Sequence, residues 1–153
     1  MDNDSNAEAF YIKPISSKDT YAVRQPVLRA GKPLESCIFN NDDLETTFHF
    51  GLFKGSKLVG VVSYFKNANA LFSEERQYQL RGMAILEAYQ GQKLGDLLLK
   101  HTEALMTSKS VVRIWCNVRI TAAGFYKKNG YDSIGAAFEI NEVGTHYVMT
   151  KEV

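Results

Sequence analysis

The chain has 153 residues, 45% hydrophobic and 23% charged, with a formal net charge of +1. That length suits one domain with a substantial core, and so balanced a charge argues against nucleic acid as the main partner, because such binding leans on clustered cations. No apolar run approaches the roughly 18 residues of a membrane span, and the polar, acidic start MDNDSNAEAF has the wrong charge for a signal peptide.

Residues 1–9 read as a disordered N-terminus and 10–153 as a single domain, with no repeat or composition break. Tyr11 to Ile15 reads as a short strand ended by Ser16-Ser17. Asp19 or Thr20 then caps a helix carrying Tyr21, Val23, Val27 and Leu28, which Pro26 should bend or split. Gly31 to Asp43 has no clean period, as in a loop with a short helical piece.

At Thr47 the period becomes two. Phe48, Phe50 and Leu52 alternate with Thr47, His49 and Gly51 up to Phe53. A Lys54-Gly55-Ser56-Lys57 turn leads into a second strand, Leu58 to Phe65, so the pair reads as a hairpin. Gln77 to Leu86 is another extended run, followed by a helix from about Gln92 to Ser108 with Leu94, Leu97, Leu98, His101 and Leu105 along one side. Val111 to Val118 is apolar on both faces, as a central strand should be. Thr121 to Lys128 is a short helix closed by Asn129-Gly130. Tyr131 to Ile140 and Thr145 to Lys151 are two last strands around an Asn141-to-Gly144 turn. The Gln77 strand, the Gln92 helix and the Val111 strand form a right-handed βαβ unit with parallel strands, and the hairpins on either side make the sheet mixed. Cys37 and Cys116 match no metal-ligand spacing, so no metal site is expected; they read as buried free thiols in a reducing cytoplasm.

The most informative stretch is AILEAYQGQKLGDLLLKH, from Ala84 to His101. A strand runs into a glycine-containing turn and then a helix. The first amides of a helix lack partners and sit at the positive end of its dipole. Glycines let a phosphate approach those amides closely, at some loss of helix propensity. The spacing matches neither common nucleotide loop: there is no G-x-G-x-x-G and no G-x-x-x-x-G-K-[ST].

With its surroundings, this segment resembles the acetyl-coenzyme A loop of the GCN5-related N-acetyltransferase (GNAT) family. That family's [RQ]-x-x-G-x-[GA] motif is matched by Gln90-Gly91-Gln92-Lys93-Leu94-Gly95 at its first and last positions. Lys93 stands where the middle glycine would be, and Glu87 where a proline is frequent. Downstream, Asn117 and then Ala122-Ala123-Gly124-Phe125-Tyr126-Lys127-Lys128-Asn129-Gly130-Tyr131 resemble the family's N…A…FYxKxGF segment. The resemblance covers Tyr11 to Val153.

The resemblance implies an α/β fold: a mixed sheet of about seven strands with a splayed parallel pair, flanked by about four helices. Leu80 to Ile85 would face Val112 to Asn117 across the cleft, with Gly82 at the bulge that starts the splay. The pantetheine arm of acetyl-CoA would pair with the backbone of Met83, Ala84 and Ile85. Its pyrophosphate would rest on the loop Gln90, Gly91, Gln92, Lys93, Leu94, Gly95 and Asp96. Tyr126 matches the family's proton donor to the leaving thiolate. Asn117 matches an asparagine near the pantetheine, or caps the following helix as an ordinary strand-end residue.

The implied reaction is acetyl transfer to a primary amine of a small molecule or peptide. The amine must lose a proton before attack. His49, Arg81, Gln79 and Glu87 lie near the expected cleft, but none is singled out as the base. His49 reads as a partly exposed strand histidine, His101 as a core-edge residue, and His146 as a possible neighbour of the acceptor. The acceptor pocket should draw on Arg24 to Asp43, where Arg24, Arg29 and Glu35 are candidates for selecting charge. Exposed edge strands leave room for a homodimer. Two other readings stand beside the enzyme: a non-catalytic acyl-CoA-binding module of the same fold, and a mixed α/β interaction domain with no cofactor.

Overall fold

The structure is a computed structural model and describes residues 9–153. Apart from Ala9, the frayed segment expected at 1–9 lies outside the described residues. Among the described residues seven strands form one sheet: β1 (Phe10–Pro14), β2 (Phe48–Lys54), β3 (Lys57–Phe65), β4 (Gln77–Ile85), β5 (Arg113–Arg119), β6 (Asp132–Ile140) and β7 (Gly144–Glu152). Their order across the sheet is β1-β2-β3-β4-β5-β7-β6. Every neighbouring pair is antiparallel except β4 and β5.

Among the described residues three α-helices cover the sheet: α1 (Tyr21–Leu28), α2 (Leu94–Ser108) and α3 (Ala123–Lys128). The fourth helix expected between Gly31 and Asp43 is a 3-10 turn, Leu34–Cys37. Pro26 lies inside α1 without splitting it, and the helix ends two residues later. Val23 of α1 packs with Val61 and Ala84 on one face of the sheet. Leu94, Leu98, Leu99 and Met106 of α2 pack with Phe125 and Tyr126 of α3 on the other. Complete burial of Leu98 and Leu99 contributes about 1.5–3 kcal/mol for each side chain.

Helices on both faces change two expectations. His49 is not a partly exposed strand residue; it is buried, because α1 and its loop cover the face that alternation marks as polar. His101 is exposed and not at the core edge, and Leu97 is also exposed. The buried side of α2 runs instead through Leu94, Leu98, Thr102 and Met106, with Leu99 and Glu103 beside them. Its two polar members have partners. Thr102 Oγ1 and Tyr64 Oη share a hydrogen bond of 2.8 Å, while Glu103 accepts from Tyr131 Oη at 2.6 Å and from Lys151 Nζ at 2.8 Å. Paired polar groups tolerate burial, so the buried stripe is not the most apolar one.

The irregularity nearest the parallel pair lies in β4. Val61 pairs with Ala84 and Ser63 with Arg81, so Gly82 and Met83 together oppose Val62. Gly82 has φ +67, and a Cβ there would come within 2.9 Å of the Phe39 ring and 3.3 Å of Arg24 Nε. Gly82→Ala should therefore lower stability by about 1–3 kcal/mol in urea denaturation, since left-handed strain and the clash outweigh the lower entropy of the unfolded chain. A variant as stable as the parent would show that the bulge does not need glycine.

Candidate active site

The bulge coincides with an opening between parallel strands. β4 and β5 pair at Gln77–Arg113, Tyr78–Ile114 and Gln79–Trp115, and no further. Beyond that point Leu80 to Met83 and Cys116 to Arg119 line a cleft of about 170 Å3. The facing segment of β5 is thus shifted toward its C-terminal end from the Val112 to Asn117 expected, because the first residues of β5 are still bonded to β4. Met83 lines this cleft, Ala84 is buried against α1, and Ile85 lies at the strand's end beside the loop.

Ile85, Tyr89, Gln90, Gly91, Lys93, Leu94, Gly95 and Asp96 border a groove of about 310 Å3, closed on its far side by Phe125 and Lys128. Gln90 Nε2 donates to Ile85 O at 2.9 Å, tying the loop back to the strand. Gly91 has φ +80, and Lys93 at the N-cap of α2 has φ +61 and ψ +22. Lys93 thus keeps the left-handed conformation that the motif's glycine adopts most easily, at a cost of about 1–2 kcal/mol for a residue with a Cβ. Gly95 is needed for packing as well as access: a Cβ there would sit 3.1 Å from the Phe125 ring.

The helix ladder begins with Leu97 N–H donating to Lys93 O at 3.2 Å. Among the described residues, the amides from Gln92 to Asp96 have no acceptor within the protein. A row of bare amides at the positive end of a 15-residue helix, beside a groove, fits a diphosphate. Asp96 does not oppose an anion there, because its carboxylate is engaged by Asn129 Nδ2 at 2.9 Å and by Lys128 Nζ at 3.2 Å. Those contacts, Asn129 first, hold its carboxyl below the usual carboxylate range. The fold brings Tyr89, Phe125 and Lys128 to this groove; Phe125 and Lys128 belong to the FYxKxGF match, but the diphosphate loop expected from the sequence includes none of the three.

Tyr126 lies at the inner wall of the cleft, its ring edge-to-face with Phe125 at 5.1 Å and with Tyr131 at 5.5 Å. Its hydroxyl has no partner among the described residues and is not sealed in the core. Burial, with smaller contributions from Cys116 and Tyr64, raises its pKa well above the ordinary tyrosine value, so the phenol stays protonated. Asn117 is exposed on the cleft wall and caps no helix. Both cysteines are buried free thiols. Among the described residues no three His, Cys, Asp or Glu side chains cluster as metal ligands, and no helix is long and apolar enough to cross a membrane.

The cleft opens into a larger cavity of about 760 Å3, where Arg29, Lys32, Arg81, Arg119, Glu142 and His146 meet. Of the segment expected to form the acceptor side, Leu28, Arg29, Lys32 and Phe39 reach this cavity. Arg24 and Glu35 do not: Arg24 is wholly buried in a bidentate pair with Asp42, and Glu35 faces solvent. His49 is engaged through both ring nitrogens, with Ser63 Oγ at 2.6 Å and Asp42 O at 2.8 Å. His146 bonds Gly144 O through Nδ1 at 2.8 Å while its ring borders the cavity.

Solved structures share this arrangement of strands and helices. The ribosomal-protein-S18-alanine N-acetyltransferase of Escherichia coli aligns with a TM-score of 0.73 at 17% identity, covering 94% of each chain. The PaiA N-acetyltransferase of Thermoplasma acidophilum, in complex with coenzyme A, aligns with a TM-score of 0.68 at 18% identity, covering 95% of this chain and 99% of that one. In sequence, the uncharacterized N-acetyltransferase YitI of Bacillus subtilis (strain 168) is 39% identical over 140 residues, which covers 92% of this chain and 94% of the relative. The family model described as acetyltransferase (GNAT) family matches residues 15–131, from just after β1 to just before β6. With its cleft, its bare amides and a relative this similar along nearly its whole length, the chain belongs to the GNAT family of acetyltransferases.

Proposed function

We propose that residues 10–153 act as one catalytic domain that moves an acetyl group from acetyl-CoA to a primary amine, by direct attack while both substrates are bound. The observation that carries this reading is the continuity of bare loop amides, the open edge of β4 and the Tyr126 hydroxyl along a single cleft. When bound, acetyl-CoA supplies a thioester carbonyl open to attack and a thiol leaving group. The amides from Gln92 to Asp96, with Gly91 and Lys93, hold the diphosphate, and Gln90 keeps the loop in place. Met83 to Ile85, on the edge of β4 that β5 leaves open, align the amide-rich arm as an added strand would, and Asn117 borders it on β5. Amides at the bulge face the carbonyl oxygen as charge develops there.

A carbon–nitrogen bond forms as the carbon–sulfur bond breaks. The amine's surplus proton passes to water or a base, and Tyr126 Oη gives a proton to the sulfur. Structures of the same fold in complex with coenzyme A, among them the PaiA enzyme and an aminoglycoside 6'-N-acetyltransferase, support a CoA thioester as the acyl source. Two buried free thiols are compatible with a cytoplasmic setting.

Titration with coenzyme A is expected to raise the melting temperature by roughly 5–10 °C at about 100 times the Kd. Thiol release from acetyl-CoA should then be observed with an amine panel. No thermal shift would remove the cofactor from the account. Tight binding without turnover of any amine, unchanged by Tyr126→Phe, would favour the non-catalytic acyl-CoA-binding module.

A further inference from the structure

The cavity beyond the cleft is cationic. Arg29, Lys32, Arg81 and Arg119 line it, opposed by one carboxylate, Glu142. It shares Leu80, Arg81, Gly82, Asn117 and Arg119 with the smaller cleft that ends at Tyr126, so the two form one continuous space. Not all four cations are equally available. Arg29 already donates from Nε to Ser36 O at 3.2 Å and from Nη1 to Leu28 O at 3.1 Å, which ties it to its own loop.

Arg81 is the exception. Its guanidinium is half-buried and lies 4.7 Å from the Phe39 ring centroid and 5.4 Å from that of Phe65. Among the described residues, none of its N–H groups meets an acceptor, and no carboxylate lies within ion-pair distance. The acid that could serve it, Asp42, is already held by Arg24. Burial, then the neighbouring Arg24 and Arg29, lower its pKa against the opposing pull of Asp42. A partly desolvated cation without a partner is unfavourable for the free protein. Set against two aromatic rings, its fork of donors suits a carboxylate or phosphate group.

The diphosphate of the cofactor does not account for this site. Arg81 stands four residues before the end of β4, about 13 Å along the strand at about 3.3 Å per residue, and the diphosphate loop lies beyond that end. The thioester would lie between the two.

We propose that this cavity receives an oxyanion of the acceptor, so that the preferred acceptor is a small amine that also carries a carboxylate or phosphate-type group, with Arg81 as its principal partner. Arg119 and Lys32, exposed at the cavity wall, add attraction for the incoming anion. The proposal rests on the acetyl-transfer reading above and narrows its substrate.

The test compares thiol release from acetyl-CoA by the full chain with ω-amino acids of several lengths, their amides, the matching alkylamines and the matching aminoalkyl phosphonates. The best anionic acceptor is expected to exceed its neutral counterparts in kcat/KM by about tenfold or more. The order of carboxylates and phosphonates identifies which oxyanion is preferred. Arg81→Gln should collapse the ratio of anionic to neutral acceptor, and Arg81→Lys should restore part of it. Arg76→Gln, which removes a cation from a different cavity, should keep the ratio. Equal kcat/KM for charged and neutral amines, or a ratio untouched by Arg81→Gln, overturns the proposal and leaves acetyl transfer standing. If no amine is turned over, calorimetry on the CoA-saturated protein decides. An ω-amino acid binding about tenfold more tightly than its amide supports the anion site, and equal affinity overturns it.

Discussion

Tyr126→Phe is expected to lower kcat by about 100-fold or more, the usual contribution of a positioned general acid, while the Kd for coenzyme A changes by less than about threefold. The substitution removes one oxygen and keeps the ring whose edge-to-face contacts with Phe125 and Tyr131 hold it at the cleft. Its hydroxyl bonds nothing else among the described residues, so no internal hydrogen bond is lost with it and stability should stay close to that of the parent. The raised pKa fixes the sign of the pH dependence. A phenol whose pKa lies above its ordinary value near 10 is protonated throughout the neutral range. In the proposed reaction Tyr126 is therefore available to give a proton and not to take the acceptor's, and any limb of kcat between pH 6 and 9 must belong to another group. Phenylalanine should accordingly reduce the plateau of the pH profile without moving its limbs. A kcat within about threefold of the parent would remove Tyr126 as the donor.

The parts of this site legible in the sequence are those set by local backbone chemistry. A glycine within a β pattern marks a bulge, and Gly82 is one. A strand, a polar turn with Gly91 and Gly95, and then leucines at helical spacing mark a helix N-terminus with free amides, although α2 begins two residues later than the periodicity suggests. The less legible parts are set by what packs across. Thr102 and Glu103 are buried because Tyr64, Tyr131 and Lys151 meet them from distant strands, and apolar periodicity cannot register such pairings. His49 looks solvent-facing only while the α1 side of the sheet is imagined bare. The cationic cavity is assembled from α1, its following loop, β4 and β5. Its cations, Arg29, Lys32, Arg81 and Arg119, come from distant parts of the chain, and the near-neutral total conceals it.

Arg24→Met should lower stability by about 3–5 kcal/mol, the usual result of removing one partner from a buried ion pair and leaving the other uncompensated. Arg24 is wholly buried. It donates to Asp42 through both terminal nitrogens, at 2.8 and 3.1 Å, and also to Cys37 O and Ser63 Oγ. Its guanidinium carbon lies 3.8 Å from the Phe39 ring centroid, and Nε is the one buried side-chain donor among the described residues without a partner. These contacts join α1 to the Phe39–Asp42 loop and to β3, directly beneath Gly82, where the strand turns away from β5. The pair is thus a foundation for the cleft, and the variant should lose affinity for coenzyme A along with stability. Asp42→Asn placed on top of Arg24→Met removes the stranded charge while keeping an acceptor for the Phe39 amide, now 2.9 Å from the carboxylate. The double variant should regain about 1 kcal/mol or more over Arg24→Met alone, because relief of an uncompensated buried charge outweighs one weakened hydrogen bond. Urea denaturation of both variants checks this. A single variant within about 1 kcal/mol of the parent, or a double variant less stable than Arg24→Met, would show that the pair does not underpin the bulge.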